Sequence, residues 1–251
     1  MRQKLQKEWS EFLLLIRSIP AVTLTLFVMS VFSMNLLANK SISLPFSWLA
    51  LDCGLIVSWF AFLTMDVITR HFGPKAATEI SVLAIGCNLI FCALFYAGSQ
   101  IPGAWGESYV PGSEALLNAA LDHTFGGTWY VLAGSTAAFL VSALVNNFSN
   151  YAIGKMVHKN PDGFAAYALR TYVSTALGQF VDNLVFALLV SHVFFGWSLL
   201  QCVTCALTGM VAELLFEVIF SAFGYRSCLR WKRQNVGREY FALVAQEGTA
   251  A

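Results

Sequence analysis

The sequence predicts an all-α, polytopic membrane protein with six transmembrane helices and an N-terminal amphipathic helix. Of its 251 residues, 57% are apolar and only 12% are charged, whereas a soluble domain carries about 25% charged residues. Six separate stretches have the roughly 20 mainly apolar residues that a bilayer-spanning helix needs. Connecting these stretches in order also places nearly all basic residues on one side of the membrane.

The first segment, residues 1–18, reads MRQKLQKEWSEFLLLIRS and predicts an amphipathic helix along the cytoplasmic face of the membrane. Its apolar side would consist of Trp9, Phe12, Leu13 and Ile16. The segment looks like the charged start of a signal peptide. However, it contains the acids Glu8 and Glu11, and no small-residue cleavage site follows it. We therefore expect this helix to be retained.

Residues 19–225 are predicted to form one six-helix transporter domain, and residues 226–251 a basic cytoplasmic tail. The predicted spans are Ile19–Asn39, Phe46–Ile68, Ala77–Ala97, Trp129–Ile153, Tyr172–Phe195 and Ser198–Phe223. The long outer connection, 98–128, is predicted to contain a short helix from Ser113 to Leu121, with Ser113 as its N-cap. A lid over a site and a simple connector both fit this connection, and the connector is the simpler interpretation.

The distribution of Lys and Arg predicts the orientation of the bundle. Fourteen of the fifteen basic residues fall in the terminal segments and in the loops after the second and fourth spans, and only Lys40 falls on the other side. Short cytoplasmic loops carry an excess of basic residues. We therefore predict a multi-pass protein of the bacterial inner membrane with both termini in the cytoplasm.

No catalytic signature accompanies the spans. The sequence has no P-loop, no HExxH and no GxSxG, and its four histidines do not cluster. Cys202 and Cys205 form a CxxC pair, but neither a second pair nor a neighbouring histidine completes a metal site, so we interpret both as packing residues. We expect no enzymatic activity, no cofactor and no metal.

Polar side chains inside the fifth span follow one helical face. A charge at bilayer depth is unfavourable by at least a few kcal/mol, and such residues usually face a cavity or a partner. The spacing i, i+4, i+7 and i+11 places four side chains on that face: Thr175, Gln179, Asp182 and Phe186. Asn183 widens the same face.

Acids in two other spans also need partners. Glu213 and Glu217 lie four residues apart on one face of the sixth span, where two carboxylates would repel unless a cation, a proton or an Arg joins them. Asp66 and Arg70 have the same spacing near the cytoplasmic end of the second span, and a structural ion pair is the simpler interpretation.

Further polar residues have structural interpretations. We expect Asp52, near the outer end of the second span, to be hydrated. We expect the asparagines of the fourth span to join helices by hydrogen bonds; they are Asn146, Asn147 and Asn150.

Two of these patterns resemble the queuosine-precursor transporter family, a group of vitamin-uptake-like membrane proteins. The run from Asp66 to Gly73 resembles the family's D-x-x-T-R-x-F-G signature. The run from Ser174 to Phe186 is similar to its S-T-x-x-G-[QN]-x-x-D-x-x-x-F pattern. The first helix ends with Asn35 and has Lys40 just beyond it, and this arrangement is similar to the Asn-rich end of the first helix in the family. The resemblance covers about Asn35 to Tyr225.

The resemblance implies import of a 7-deazaguanine precursor for tRNA queuosine salvage, either the nitrile or aminomethyl base or queuine. It implies that Asp182, Gln179 and Asn183 bind the base, with Asn35, Phe186 and Thr175 beside it. Glu213 and Glu217 would meet a cationic amine or a coupling proton. The Asp66–Arg70 pair would be a cytoplasmic gate or brace.

One departure from the family pattern concerns specificity. Members often have Lys near the position of Glu213 and Glu near the position of Glu217, whereas both are acidic here. We expect the additional acid to favour an aminated, cationic cargo.

Other functions remain open from the sequence. A substrate-binding subunit of an energy-coupling-factor importer also has about six helices, but Ala21 and Thr25 do not match the A-x-x-x-A docking pattern well. An intramembrane enzyme and a scaffold are further alternatives.

The expected partners are a nucleobase-like small molecule and the lipid bilayer, with no direct nucleic-acid contact. A homodimer is compatible with the sequence, and an energy-coupling ATPase is the less favoured partner.

Overall fold

The computed structural model describes residues 2–42, 44–46, 48–49, 51–106, 112–126, 129–157 and 163–248. Lys159, one of the basic residues in the loop after the fourth predicted span, and part of the outer connection lie outside these ranges. The helices, in chain order, are α1 (Arg2–Ser18), α2 (Ala21–Leu37), α3 (Leu55–Phe72), α4 (Pro74–Ser99), α5 (Glu114–Phe125), α6 (Trp129–Met156), α7 (Phe164–Phe186), α8 (His192–Phe194), α9 (Leu199–Arg233) and α10 (Arg238–Gly248). A π-helical turn, Ala187–Ser191, joins α7 to α8.

The described residues contain no β-strand, and the prediction of an all-α, polytopic membrane protein is confirmed. Within the described ranges, five helical segments are long and apolar enough to cross a membrane, and they include α3, α4, α6, α7 and α9. The count is six if α1 and α2, which meet at 102°, form one bent span. The 17 residues of α2 cover about 26 Å at 1.5 Å per residue, close to the hydrocarbon thickness of a bilayer.

The prediction that the second span begins at Phe46 is wrong, because α3 begins at Leu55. The chain before it forms an isolated antiparallel bridge between Ser41 and Asp52. Backbone N–H groups of Ile42 and Cys53 donate across this bridge to the carbonyls of Leu51 and Lys40, each at 2.8 Å. Because these backbone groups are already paired with one another, the segment does not join the helix. Asp52 therefore lies at the mouth of the bundle.

Helix α7 is the centre of the bundle and packs mainly against α6 and α9, while α3 packs against α9 on the other side. Gly178 permits a close approach of α7 to α3 and α6. A Cβ atom at this position would lie 2.8 Å from Phe62 Cε1 on α3 and 3.0 Å from Asn146 Cβ on α6. Three helices therefore meet at Gly178, and the polar faces of α3, α6 and α7 turn toward one another.

The last span is longer than predicted. Helix α9 begins after Ser198, which forms a capping box with Gln201, and it continues past Phe223 to Arg233. Its 35 residues cover about 52 Å, more than a bilayer core of about 30 Å. The chain then turns into α10, which packs on α1. Most described residues of the predicted basic tail are therefore helical.

The outer connection contains α5, close to the predicted short helix. Ser113 is its N-cap residue, but the Ser113 side chain accepts no capping hydrogen bond. Trp105 ties the preceding loop to α5, because its indole N–H donates to Asp122 Oδ1 at 2.8 Å. Helix α5 in turn contacts α4.

Candidate functional site

Polar side chains of α3, α6, α7 and α9 meet along the axis of the bundle in two groups. The first group, the acidic cleft, lies where the chain enters α3. It is lined by Asn35, Asp52, Ser58, Ser135, Asp182, Asn183, Phe186 and Glu213, together with a few apolar residues. The second group, the carboxyl pair, consists of Asp66 and Glu217. It lies farther along α3 and α9, toward the end of the bundle with the basic residues.

Glu213 is the most buried acid of the cleft, with 2% of its surface exposed. The Ser58 hydroxyl on α3 donates a hydrogen bond to it, and Asn183 Nδ2 on α7 donates to its second oxygen at 3.2 Å. The same Asn183 amide also donates to the backbone carbonyl of Gln179 at 2.9 Å. Glu213 therefore joins three helices, and its orientation is determined from two sides.

Two further carboxyls face the same space. Asp182 on α7 accepts a hydrogen bond from the Ser142 hydroxyl on α6 at 2.7 Å. Asp52 accepts one from the backbone N–H of Gly54 at 2.7 Å. Burial raises the pKa of Asp52 to about 6, and the Gly54 hydrogen bond limits that rise. Asp52 and Asp182 are both close enough to Glu213 to repel it electrostatically.

None of the residues that line the acidic cleft is basic. Two buried polar atoms at the cleft have no hydrogen-bond partner, the Asn35 amide nitrogen and the Ser135 hydroxyl oxygen. The cavity measures about 30 Å³, which is room for about two water molecules. The bundle is therefore nearly closed around the cleft, and a larger ligand requires the helices to separate.

Asp66, in the carboxyl pair, is fully buried and surrounded by hydrogen-bond donors. Asn146 Nδ2 on α6 donates to it at 2.7 Å. On α7, the hydroxyls of Thr175 and Ser174 lie 3.3 and 3.4 Å from its oxygens. Glu217 on α9 lies within interaction distance of Asp66 and is also fully buried. Both Glu217 oxygens lack a hydrogen-bond partner.

The predicted Asp66–Arg70 ion pair is not among the ion pairs of the described residues. Asp66 instead accepts hydrogen bonds from α6 and α7, because its side chain faces the bundle axis. The Arg70 guanidinium carbon lies 5.1 Å from the ring centre of Tyr167, a cation–π distance. Arg70 also lines a basic cleft with Lys155 and Arg170 at the end of the bundle.

In the structure, the residues predicted for the site fall into two groups, one that lines the acidic cleft and one that does not. The acidic cleft brings together Asn35, Asp182, Asn183, Phe186 and Glu213. Three others do not line it and lie deeper, toward the carboxyl pair: Thr175, Gln179 and Glu217.

Sequence reasoning missed the serines that hold the acids. Ser58 precedes Asp66 by eight residues and lies on the same face of α3, and this spacing was available as a signal. Ser142, which donates to Asp182, lies four residues before Asn146 on the same face of α6. The role of Asp52 could not be inferred, because it depends on the bridge with Ser41.

Comparison with known proteins identifies the family. Residues 52–227, more than two thirds of the chain, match the family described as "Putative vitamin uptake transporter". The chain belongs to this family. Comparisons with curated proteins and with solved structures find no match. The matched part of this vitamin uptake transporter contains every acid of the cleft and of the carboxyl pair, while Asn35 precedes it.

Membership indicates a transport role, and the arrangement of the acids suits binding of a cation or of hydrogen-bond donors. Among the described residues, no group of three or more His, Cys, Asp and Glu side chains could hold a metal ion. Carboxylates that lie together without basic neighbours attract positive charge.

The hydrogen bond between Ser142 and Asp182 provides a test of the cleft geometry. Ser142→Ala should lower the free energy of unfolding by about 1.5–3 kcal/mol, because the bond is short and its acceptor is a carboxylate. In an Asp182→Ala background the same substitution should have little effect. Chemical unfolding in detergent would measure both values.

Ser30→Ala is a matched control, since the buried Ser30 hydroxyl donates only to the carbonyl of Leu26 in its own helix. It should change stability by less than Ser142→Ala does. Equal effects of Ser142→Ala in the two backgrounds would contradict the assigned hydrogen bond.

Proposed function

We propose that this protein imports a 7-deazaguanine precursor of queuosine, preferentially the aminomethyl base, into a bacterial cell. The observation that carries the proposal is the convergence of Asp52, Asp182 and Glu213 on one cleft that no basic residue lines. Membership of a vitamin uptake transporter family supports the direction of transport. The similarity of the Asp66–Gly73 and Ser174–Phe186 runs to queuosine-precursor transporters supports the class of cargo.

The hydrogen-bonding groups of the cargo complement those of the cleft. A guanine-like edge carries N–H donors at N1 and N2, which one carboxylate can accept together. Asp182 is suited to this role, because only one of its oxygens is held by Ser142. The O6 and N7 acceptors of the base would suit the unpartnered Asn35 amide. Phe186, in the wall of the cleft, offers a surface for stacking.

The aminomethyl base also carries an amine, which is protonated and therefore positively charged at neutral pH. Glu213 and Asp52 would share this charge and so relieve their mutual repulsion. Because the cavity is nearly closed, we infer that the bundle opens toward the outer face to admit the base and closes again around it. The proposal places both termini in the cytoplasm, as the basic residues predict.

A salvage assay tests the proposed function. In a strain that cannot make the precursor, expression of the protein should restore queuosine in tRNA when the aminomethyl base is supplied. Asp182→Asn and Glu213→Gln should each reduce initial uptake at least tenfold, since a buried hydrogen bond to a charged group contributes about 1.5–3 kcal/mol. Glu239→Gln is the control, because Glu239 is exposed on α10.

Full complementation by both cleft variants would show that the cleft is not the substrate site. Complementation only when energy-coupling ATPase subunits are co-expressed would favour the binding-subunit alternative.

Selectivity between cationic and neutral bases tests the role of Glu213 separately. Glu213→Lys should reverse the preference of the protein, so that the aminomethyl base loses affinity and the nitrile base loses little. Competition between the two bases for binding to the purified variant would measure this ratio. A ratio equal to that of the unaltered protein would exclude Glu213 from contact with the amine.

A further inference from the structure

The carboxyl pair lacks hydrogen-bond donors for one of its acids, whereas Glu213 in the acidic cleft has two. Glu213 in the cleft accepts hydrogen bonds from Ser58 and Asn183. Glu217, one helical turn farther along α9, is fully buried, and neither of its oxygens accepts a hydrogen bond, although the Thr175 hydroxyl lies nearby. The Asn146 side-chain oxygen, in the same region, also lacks a donor. This part of the bundle has more acceptors than donors.

Asp66 is the neighbouring side chain with which Glu217 could share a hydrogen bond. Both carboxyls are fully buried and close enough to interact electrostatically, but two carboxylates have no hydrogen to share. One added proton would convert this contact from a repulsion into a hydrogen bond between an acid and a carboxylate. The Asn146 side-chain amide donates the shortest hydrogen bond to Asp66, at 2.7 Å, and favours the ionised form on that side. The added proton therefore belongs on Glu217.

The other titratable and charged groups near the pair come from three helices. They are Arg70 on α3, Tyr167 and Arg170 on α7, and Glu213 and Cys228 on α9. From α6, the neighbouring side chains are the neutral amides of Asn146 and Asn150.

Arg170 is the basic group connected to the pair by hydrogen bonds. Its Nη2 donates to Asn150 Oδ1 at 2.9 Å, and Asn150 Nδ2 donates to the Ser174 hydroxyl at 3.2 Å. The Ser174 hydroxyl lies 3.4 Å from Asp66. Arg170 therefore stabilises a negative Asp66 through two intermediates, and it also lines the basic cleft at the end of the bundle.

We propose that Asp66 and Glu217 form a binding site for one transferable proton, and that this site couples import to the proton gradient. The inference rests on the proposed function, because it assigns the driving force for that cargo. In the occupied state an O–H bond is formed on Glu217 with a proton from water on the outer side. Release breaks this bond and returns the proton to water at the basic end. The site lies below the substrate cleft and does not line it.

A proton suits the pair better than a metal cation. Both oxygens of Asp66 already accept hydrogen bonds from amide or hydroxyl groups, which leaves fewer lone pairs for a coordinated ion. Among the described residues, no third His, Cys, Asp or Glu side chain joins Asp66 and Glu217 to complete a metal site. Dependence on sodium is therefore the outcome that opposes the proposal.

Purified protein in liposomes separates the proton site from the substrate site. Labelled aminomethyl base should exchange across the membrane without any gradient and should accumulate when the inside is made alkaline. Glu217→Gln and Asp66→Asn should keep exchange within about threefold and lose accumulation. Glu239→Gln should keep both activities. Accumulation by Glu217→Gln, accumulation driven by a sodium gradient alone, or loss of exchange in a folded pair variant would each overturn the proposal.

A second measurement does not depend on the cargo. Infrared difference spectra of the purified protein, recorded between acidic and alkaline pH, should contain a band from a protonated buried carboxyl that Glu217→Gln removes and that Asp182→Asn and Glu213→Gln keep. Absence of this band from the unaltered protein would overturn the proton site even if transport is confirmed. Presence of the band together with no exchange of the base would contradict the proposed cargo and support the proton site.

Discussion

Carboxyl groups buried in the helix bundle are the constraint on which the rest of this structure depends. A charge in the hydrocarbon region is strongly unfavourable unless it faces a cavity, a partner or a hydrogen-bond donor. Here Asp66, Asp182 and Glu213 each receive donors from a helix other than their own. These bonds join α3, α6, α7 and α9, so the buried polar residues also determine how the helices pack.

Close approach of the helices makes this arrangement possible. Hydroxyl and amide groups reach an acid on the next helix only when the backbones are near, and Gly178 provides that space between α3, α6 and α7. At the basic end, Phe72 packs against Trp231, Tyr240 and Phe241, which follow from α9 and α10. These aromatic contacts hold the ends of α3 and α9 together. The acidic cleft, at the opposite end, has no equivalent aromatic cap among its lining residues, apart from Phe186.

Much of the fold was predictable, because a membrane-spanning helix needs a run of about 20 mainly apolar residues, and such runs are visible in the sequence. The spans near α4, α6 and α9 were predicted with nearly correct starts, since apolar runs bounded by turns determine them. The start of α3 was not predicted correctly, because the apolar residues before Leu55 belong to a bridged segment rather than to the helix. The site was predictable in part. Helical spacing grouped Asp182 with Phe186, but it could not show that Thr175 lies with Asp66 instead. That division depends on where α3 crosses α7, which no local pattern encodes.

The most direct test of the central claim is a structure of the protein determined with the aminomethyl 7-deazaguanine base bound. We expect the base between α7 and α9, with its guanine-like edge at Asp182 and its amine at Glu213. The helices around the cleft would be farther apart than in the present structure, because the cavity now has room for only about two waters. A base bound instead in the cleft lined by Arg70, Lys155 and Arg170 would contradict the account.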